Sequence, residues 1–200
     1  MYRLIILLIL TISVAQVKAE GDVSRGKALT NACVACHGVD GNSPAGAFPS
    51  IAGQHTKYLL KQLNDIKTKK RSAPLMTGLL DNMSDQDLED IAAYFADQKH
   101  KTGAAKAELV KLGESIYRAG IKRKKIAACS ACHLPQGEGL NLAGFPALAG
   151  QWPEYIEAQL KAFRTGARDN DGEGRMMRNT ALDLSDEEIA AVASYIYGLK

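Results

Sequence analysis

Apolar residues recur every three or four positions in several segments, as they do along the buried face of an α-helix. The two most regular sets are Leu88, Ile91, Ala92 and Phe95, and Ile189, Val192, Ala193 and Ile196. Two earlier sets are Leu59, Leu63 and Ile66, and Ile156, Leu160 and Phe163. Strand signals are absent. The pattern predicts an all-α protein of short helices and long loops.

Serines mark the start of the two most regular segments. Ser84 and Ser185 stand where N-cap residues belong. Ser185 has Glu188 three residues later and predicts a capping box, whereas Ser84 has Asp87, a weaker version of the same signal. Both halves of the chain therefore contain the start signal of a similar late helix.

An apolar segment occupies the beginning of the chain. Met1-Tyr2-Arg3 supplies a positive charge, Leu4 to Val14 is nearly all apolar, and Val17-Lys18-Ala19 resembles a signal-peptidase site. The apolar run is short for a membrane span. We predict that residues 1–19 are a signal peptide and that the mature chain works in an oxidising compartment. An uncleaved membrane anchor is the alternative.

The remainder of the chain is a tandem repeat. The segment Cys33-Val34-Ala35-Cys36-His37 recurs 96 positions later as Cys129-Ser130-Ala131-Cys132-His133. A Phe-Pro-x-[Ile/Leu]-Ala-Gly-Gln segment at 48–54 recurs 97 positions later, as do Tyr58, Gln62 and Leu63. We predict two domains of the same fold, at residues 20–98 and 108–200, joined by a polar linker at 99–107.

Composition and charge exclude several classes of protein. With 46% hydrophobic and 24% charged residues, the chain is neither disordered nor collagen-like. A formal net charge of +3 is too small to indicate nucleic-acid binding. Aromatic residues make up only 6% of the chain, so a bound cofactor would help to fill two small cores.

All four cysteines lie in the two Cys-x-x-Cys-His units, the spacing at which c-type haem is attached. The predicted thioether residues are Cys33, Cys36, Cys129 and Cys132, and the predicted proximal iron ligands are His37 and His133. A thioredoxin-like redox pair would need a βαβ context. Zinc would need a fourth ligand in each unit, and plain disulfides would leave the histidine unexplained.

The second axial ligand of each iron decides between electron transfer and catalysis. The two unused histidines, His55 and His100, do not recur: His55 aligns with Trp152, and His100 lies in the linker. Two pairs of histidine ligands are therefore not expected.

Methionine supplies a matched alternative. Met76 and Met177 each stand eight residues before a serine N-cap. We predict Met76 as the second ligand of the first iron and Met177 as that of the second. Met83 and Met176 have no methionine counterpart, and we predict that they are packing residues.

These motifs resemble the dihaem cytochrome c4 family, over essentially the whole chain from Gly21 to Lys200. The segment Pro-Leu-Met-Thr-Gly-Leu-Leu-Asp-Asn-Met-Ser-Asp from residue 74 adds to the resemblance. It implies two tandem class I cytochrome c domains related by a pseudo-twofold axis, each wrapping one covalently attached haem with His/Met ligation. It also implies that the carbonyls of Pro49 and Pro146 hold the Nδ1 atoms of the proximal histidines.

The function implied by the resemblance is electron transfer and not catalysis. The partners implied are a quinol-oxidising complex as donor and a terminal oxidase as acceptor. The location implied is the periplasm, either free or at the outer face of the inner membrane. We expect the two haems to face each other across the domain interface through their propionates. The alternatives are the dihaem subunit of a flavocytochrome-type dehydrogenase, a haem peroxidase and a gas sensor.

Two basic segments have no role in this scheme. They are Lys122 to Lys125, before the second haem motif, and Lys67 to Arg71, before Met76. Each fits a solvated loop, and each also fits a contact with an acidic partner or with anionic lipid. The sequence leaves the haem potentials and the oligomeric state open.

Overall fold

The computed structural model describes residues 21–200, and the predicted signal peptide lies outside them. The α-helices of this part are α1 Val23–Leu29, α2 Asn31–His37, α3 Thr56–Lys67, α4 Asp85–Ala96, α5 Ala107–Ala119, α6 Ser130–His133, α7 Pro153–Thr165, α8 Met176–Ala181 and α9 Asp186–Tyr197. Short 3₁₀ turns occur at Pro74–Met76 and Lys122–Lys124. Within residues 21–200 the extended pairings are isolated bridges, Ile121–Ile126 and Leu140–Phe145. The all-α prediction is confirmed.

The two halves share one packing scheme. In the first, α4 packs against α1 and α3, and in the second, α9 packs against α5 and α7. Every residue of the two most regular apolar sets is buried in these contacts. The hydrophobic face of each late helix therefore forms the centre of its domain, as the spacing predicted.

Glycine allows the first helix of each domain to approach the last. A Cβ at Gly26 in α1 would stand 2.0 Å from the carbonyl oxygen of Asp90. A Cβ at Gly113 in α5 would stand 2.3 Å from the carbonyl oxygen of Ala191. Both distances are far inside van der Waals contact, so any larger residue would push the helices apart.

Both late helices begin with a complete capping box. Ser84 accepts from the backbone N–H of Asp87, whose side chain returns to the backbone of Ser84. Ser185 and Glu188 form the same reciprocal pair. The Asp87 version, which appeared weaker in the sequence, is therefore also formed.

The connection between the halves is anchored on both sides. Asn42 of the first domain donates its amide to the Lys99 carbonyl at 3.0 Å and accepts from the Lys101 backbone N–H at 2.8 Å. The backbone N–H of Gly103 donates to the Tyr197 carbonyl of the second domain at 3.0 Å. Helix α5 begins at the last residue of the predicted linker.

None of the helices between residues 21 and 200 combines the length and the apolar character that crossing a membrane requires.

Candidate haem sites and the interface between them

The attachment motifs lie on short helices. Cys33, Cys36 and His37 belong to α2, while Cys132 and His133 belong to α6, which has Cys129 as its N-cap. All four cysteines lie in the described part of the chain, and none of them forms a disulfide there. Each motif therefore offers two thiols about one helical turn apart, beside a histidine.

The ring of each motif histidine is held by a proline carbonyl. His37 Nδ1 lies 2.9 Å from the Pro49 carbonyl oxygen, and His133 Nδ1 lies 2.9 Å from that of Pro146. The carbonyl accepts, so Nδ1 carries the hydrogen and Nε2 keeps its lone pair. These are the two hydrogen bonds that the family resemblance implies.

Burial favours the neutral form of both rings. The two histidines are 8% and 7% exposed. Burial lowers the pKa of His37 and of His133, and the proline carbonyl opposes this only in part. Neutral imidazole with a fixed tautomer is the form that binds a metal ion.

The methionines differ in their surroundings. Met76 ends the 3₁₀ turn after Pro74, Met177 lies in the first turn of α8, and both are half-buried. Met83 packs against the core of the first domain, and Met176 is 53% exposed. Each domain thus supplies two thiols, a neutral imidazole and a half-buried thioether, a donor set that fits haem c.

His55 and Trp152 occupy equivalent positions just before α3 and α7, but they differ in their contacts. Trp152 donates its indole N–H to the Ser43 carbonyl of the other domain at 3.1 Å and stacks on Tyr197. Its counterpart His55 has a buried Nε2 without a hydrogen-bond partner in the described part of the chain. His100 is exposed in the linker.

Two glutamines exchange hydrogen bonds between the domains. Gln151 Oε1 accepts from the Ser50 backbone N–H at 2.9 Å, and its amide donates to the Ser50 carbonyl at 2.8 Å. Gln54 makes the same pair of bonds with Ala147, at 2.9 and 2.8 Å. Because the members are 97 positions apart in both cases, the contact obeys the pseudo-twofold relation of the repeat.

A polar cluster lies at the same interface, and we call it the arginine cluster. Its members are paired 97 positions apart: Tyr58 with Tyr155, Gln62 with Gln159, and Arg71 with Arg168. The pairing of the tyrosines and of the glutamines was visible in the sequence as part of the repeat. The two arginines recur at the same spacing, a signal that sequence reasoning missed.

Arg71 reaches from the first domain into the second. Its guanidinium donates to Gln62 Oε1 of its own domain at 2.8 Å. It also donates to the Tyr155 hydroxyl at 2.9 Å and to Gln159 Oε1 at 3.2 Å. Arg71, the last residue of the basic segment from Lys67 to Arg71, therefore points into the interface and does not belong to a solvated face.

Arg168 makes the mirror-image contacts. It donates to Gln159 Oε1 of its own domain at 2.7 Å, and to Tyr58 and Gln62 of the first domain at 3.2 and 3.0 Å. Asn170 supports it by accepting from its Nε at 3.0 Å. Both glutamine oxygens thus accept from both arginines, which brings two positive charges close together.

Little negative charge balances the arginine cluster. Asp65 is buried at its edge and accepts from Asn170 at 2.7 Å, but it is already paired with Lys61. Burial alone would raise the pKa of Tyr58, yet the neighbouring Arg168 and Arg71 outweigh it and lower that pKa. The side chains of the arginine cluster therefore carry a net positive charge.

The basic segment from Lys122 to Lys125 is partly neutralised by acidic groups. Lys124 donates to Glu188 at 2.6 Å and to the Asp183 carbonyl at 2.8 Å. Arg123 lies 3.5 Å from Glu188. The segment connects the loop before the second haem motif to the start of α9, and Lys122 and Lys125 are its exposed cations without such contacts.

Comparisons with known proteins agree with this architecture. The family model described as cytochrome c matches residues 23–99 and 110–200. A cytochrome c4 of Pseudomonas aeruginosa is 50% identical over 200 residues, which are 100% of both chains. A protein of Stutzerimonas stutzeri named thiosulfate dehydrogenase electron acceptor is 38% identical over 168 residues, covering 82% of this chain and 77% of that protein.

A solved structure gives the same result. Reduced recombinant cytochrome c4 from Pseudomonas stutzeri superposes with a TM-score of 0.89 at 50% identity, and the match covers 90% of this chain and 100% of that one. Two tandem cytochrome c domains are thus present. The chain belongs to the cytochrome c4 family, and it is an electron-transfer protein, not an enzyme, whose cofactors are two covalently bound haem c groups.

Proposed function

We propose that this protein carries single electrons in the periplasm, from a quinol-oxidising complex to a terminal oxidase. The observation that carries the proposal is the matched pair of bonds from His37 to Pro49 and from His133 to Pro146, each 2.9 Å. In both domains a buried, neutral imidazole is held with its Nε2 free to bind iron. Two sites built alike suit a carrier in which both irons exchange electrons.

The thiols and histidines of the two motifs hold the cofactors in this proposal. Cys33 and Cys36 attach the first haem and Cys129 and Cys132 the second, while His37 and His133 are the proximal ligands. When bound, haem c supplies the one-electron chemistry of its iron. The protein fixes the ring of each histidine and keeps it buried.

Methionine closes the other side of each iron in this proposal. We assign Met76 to the first haem and Met177 to the second, because both are half-buried at matched positions. Met83 is occupied in core packing and Met176 is largely exposed, which supports the same choice. A thioether ligand raises the reduction potential and closes the iron to other ligands, as a carrier at the oxidising end of respiration requires.

A dehydrogenase is the second candidate for the electron donor. The relative from Stutzerimonas stutzeri is named as the electron acceptor of a thiosulfate dehydrogenase. The same closed haem sites would serve this role, with electrons entering from a reduced substrate that the dehydrogenase oxidises and not from quinol.

The test compares the two donors on one protein. The purified dihaem protein is mixed, fully oxidised, with a quinol-oxidising complex and quinol, or with a thiosulfate dehydrogenase and thiosulfate. Haem reduction is followed at the visible absorption bands, and oxygen uptake is then measured after a terminal oxidase is added. Fast reduction by the quinol complex followed by oxygen uptake is expected. Reduction only by the dehydrogenase would replace the proposal with the second candidate.

The proposed location has a separate test. The chain is produced with its residues 1–19 in a bacterium that matures c-type cytochromes. We expect a protein with covalently bound haem that starts at Glu20 and is released with the periplasmic fraction. Any of this protein that is bound to the membrane should be released from it by a salt wash. Retention after the salt wash, with residues 1–19 still attached, would identify the N-terminal segment as an anchor.

A further inference from the structure

We propose that Asp171 and Arg178 form a clamp that holds closed the loop carrying Met177, so that the methionine stays on the second iron. The inference rests on the proposed assignment of Met177 as an iron ligand and deepens it. Asp171 and Arg178 are positioning residues in this proposal, because both act through the backbone beside the methionine.

The loop before the second methionine is longer than its counterpart in the first domain. Arg71 and Met76 are five positions apart, whereas the matched residues Arg168 and Met177 are nine positions apart. The longer loop also contains two glycines, and the shorter loop contains none. Fixing a longer, glycine-containing loop costs more conformational entropy. Met177 therefore needs a contact that Met76 does not need.

Asp171 and Arg178 provide that contact across the longer loop. Arg178 Nε donates to Asp171 Oδ1 at 2.7 Å, and the backbone N–H of Arg178 donates to Asp171 Oδ2 at 2.9 Å. Arg178 Nη2 also donates to the Gly172 carbonyl at 3.0 Å. The Asp171 side chain is only 5% exposed, so water competes little for its oxygens. Hydrogen bonds between ionised groups are among the stronger ones in proteins.

The clamp bonds to the peptide unit that Met177 and Arg178 share. Because the Arg178 backbone N–H belongs to this unit, Asp171 fixes the backbone directly after the methionine. Met177 lies in the first turn of α8, which has only six residues. A helix this short is not stable by itself. The position of the methionine therefore depends on what holds the helix from outside.

The first domain cannot form this pair. At the offset of 101 that relates Met76 to Met177, the residues that match Asp171 and Arg178 are Lys70 and Thr77. Both the carboxylate and the guanidinium are thus missing there. Loss of the clamp should consequently affect the second haem and leave the first unchanged.

The contact at the far end of each loop is shared by the two domains. Lys67 donates to the Met83 carbonyl in the first, and Arg164 donates to the Leu184 carbonyl at 2.7 Å in the second. A contact that both loops possess does not compensate for the extra length of one of them. Among these contacts, the clamp alone is specific to the longer loop.

The experiment measures how readily an added ligand replaces the methionine. The oxidised dihaem protein is titrated with imidazole, and loss of the sulfur-to-iron charge-transfer band in the near infrared reports replacement at each iron. Asp171→Ala should tighten imidazole binding at one haem of two by about 10- to 100-fold, because a larger fraction of the protein has its loop open. If Asp171→Ala is poorly folded, Asp171→Asn should give a smaller change in the same direction.

Asp169→Ala is the matched control, since it removes an exposed carboxylate from the same loop. It should bind imidazole like the wild type. A second comparison uses Met177→Ala, in which the thioether is already gone. Adding Asp171→Ala to that variant should not tighten imidazole binding further, because the clamp acts only through the methionine.

Three results would overturn the inference. A change no larger than that of Asp169→Ala would show that the clamp does not hold the methionine. The same gain in the Met177→Ala background would place its action elsewhere in the site, and a gain at both haems would indicate general destabilisation. An iron that stays closed in Met177→Ala alone would overturn the proposed ligand, and the inference with it.

Discussion

Gln151 of the second domain forms hydrogen bonds to the backbone of Ser50 in the first domain. Ser50 directly follows Pro49, whose carbonyl holds the ring of His37. The glutamine amide bonds to both the N–H and the carbonyl of Ser50, at 2.9 and 2.8 Å. The preceding carbonyl, that of Pro49, fixes the His37 ring. Domain docking and the orientation of the motif histidine in the opposite domain are therefore connected through one peptide unit.

Gln151→Ala should consequently disturb the first haem more than the second. It removes the two hydrogen bonds to Ser50 and leaves the backbone N–H and carbonyl of Ser50 without these partners, which should lower the free energy of unfolding by about 1–3 kcal/mol. The measurement is the paramagnetically shifted NMR spectrum of the oxidised protein, together with denaturant unfolding. Gln54→Ala is the matched variant and should disturb the second haem. A change confined to the substituted residue's own domain would contradict this connection.

Met177→Ala should open the second iron to carbon monoxide. The reduced variant is expected to bind carbon monoxide at one haem of two, because the thioether that we propose as the second ligand of that iron is gone. Visible difference spectra with and without carbon monoxide give the stoichiometry. Met176→Ala is the control at the neighbouring exposed position and should stay closed. An unreactive Met177→Ala would show that another residue is the ligand.

The double variant Cys129→Ser/Cys132→Ser should keep one covalent haem. The first domain has its own complete motif, so its attachment does not depend on the second pair of thiols. Intact-protein mass measured under denaturing conditions counts the haems. Two covalent haems in this variant would refute the assignment of these cysteines.

Lys124→Gln should weaken the second domain at neutral pH. Although burial opposes it, hydrogen bonds from Lys124 and from the Ser185 backbone hold the pKa of Glu188 below its ordinary value. The resulting stability is present above the ordinary pKa of glutamate and is lost as pH falls through the lower, folded-state value.

The expected loss for Lys124→Gln is about 1 kcal/mol at pH 7, with a smaller difference from wild type at pH 3. Denaturant unfolding at both pH values gives the two numbers. Lys122→Gln removes an exposed charge from the same segment and should change stability little. A loss of equal size at both pH values would assign the effect to something other than Glu188.

Much of the helical framework could be predicted because its signals are local. The buried face of α4, with Leu88 and Phe95, follows from spacing alone, and Ser84 marks its start. Helices α1 and α5 were not predicted, since Gly26 and Gly113 disfavour an isolated helix. In the fold those glycines permit close contact with α4 and α9, which no local rule can anticipate.

The candidate site divides in the same way. Attachment motifs such as Cys33 to His37 are contiguous, so their chemistry can be recognised in a single sequence. Arg71 could not be recognised, because it ends a basic segment and its contacts with Tyr155 and Gln159 form only when the second domain packs against the first. A residue whose surroundings come from both halves of the chain gives little local signal beyond its recurrence as Arg168.

The reciprocal contacts of Gln54 and Gln151 have the form of an isologous interface. In such an interface the same surface patch is used by both partners, so every contact occurs twice. Each half therefore presents a self-complementary face, like the subunit of a symmetric dimer. Joining the halves in one chain gives each face a high effective concentration of its correct partner. It also allows equivalent positions at the interface to diverge, as His55 and Trp152 have, without producing mismatched pairs.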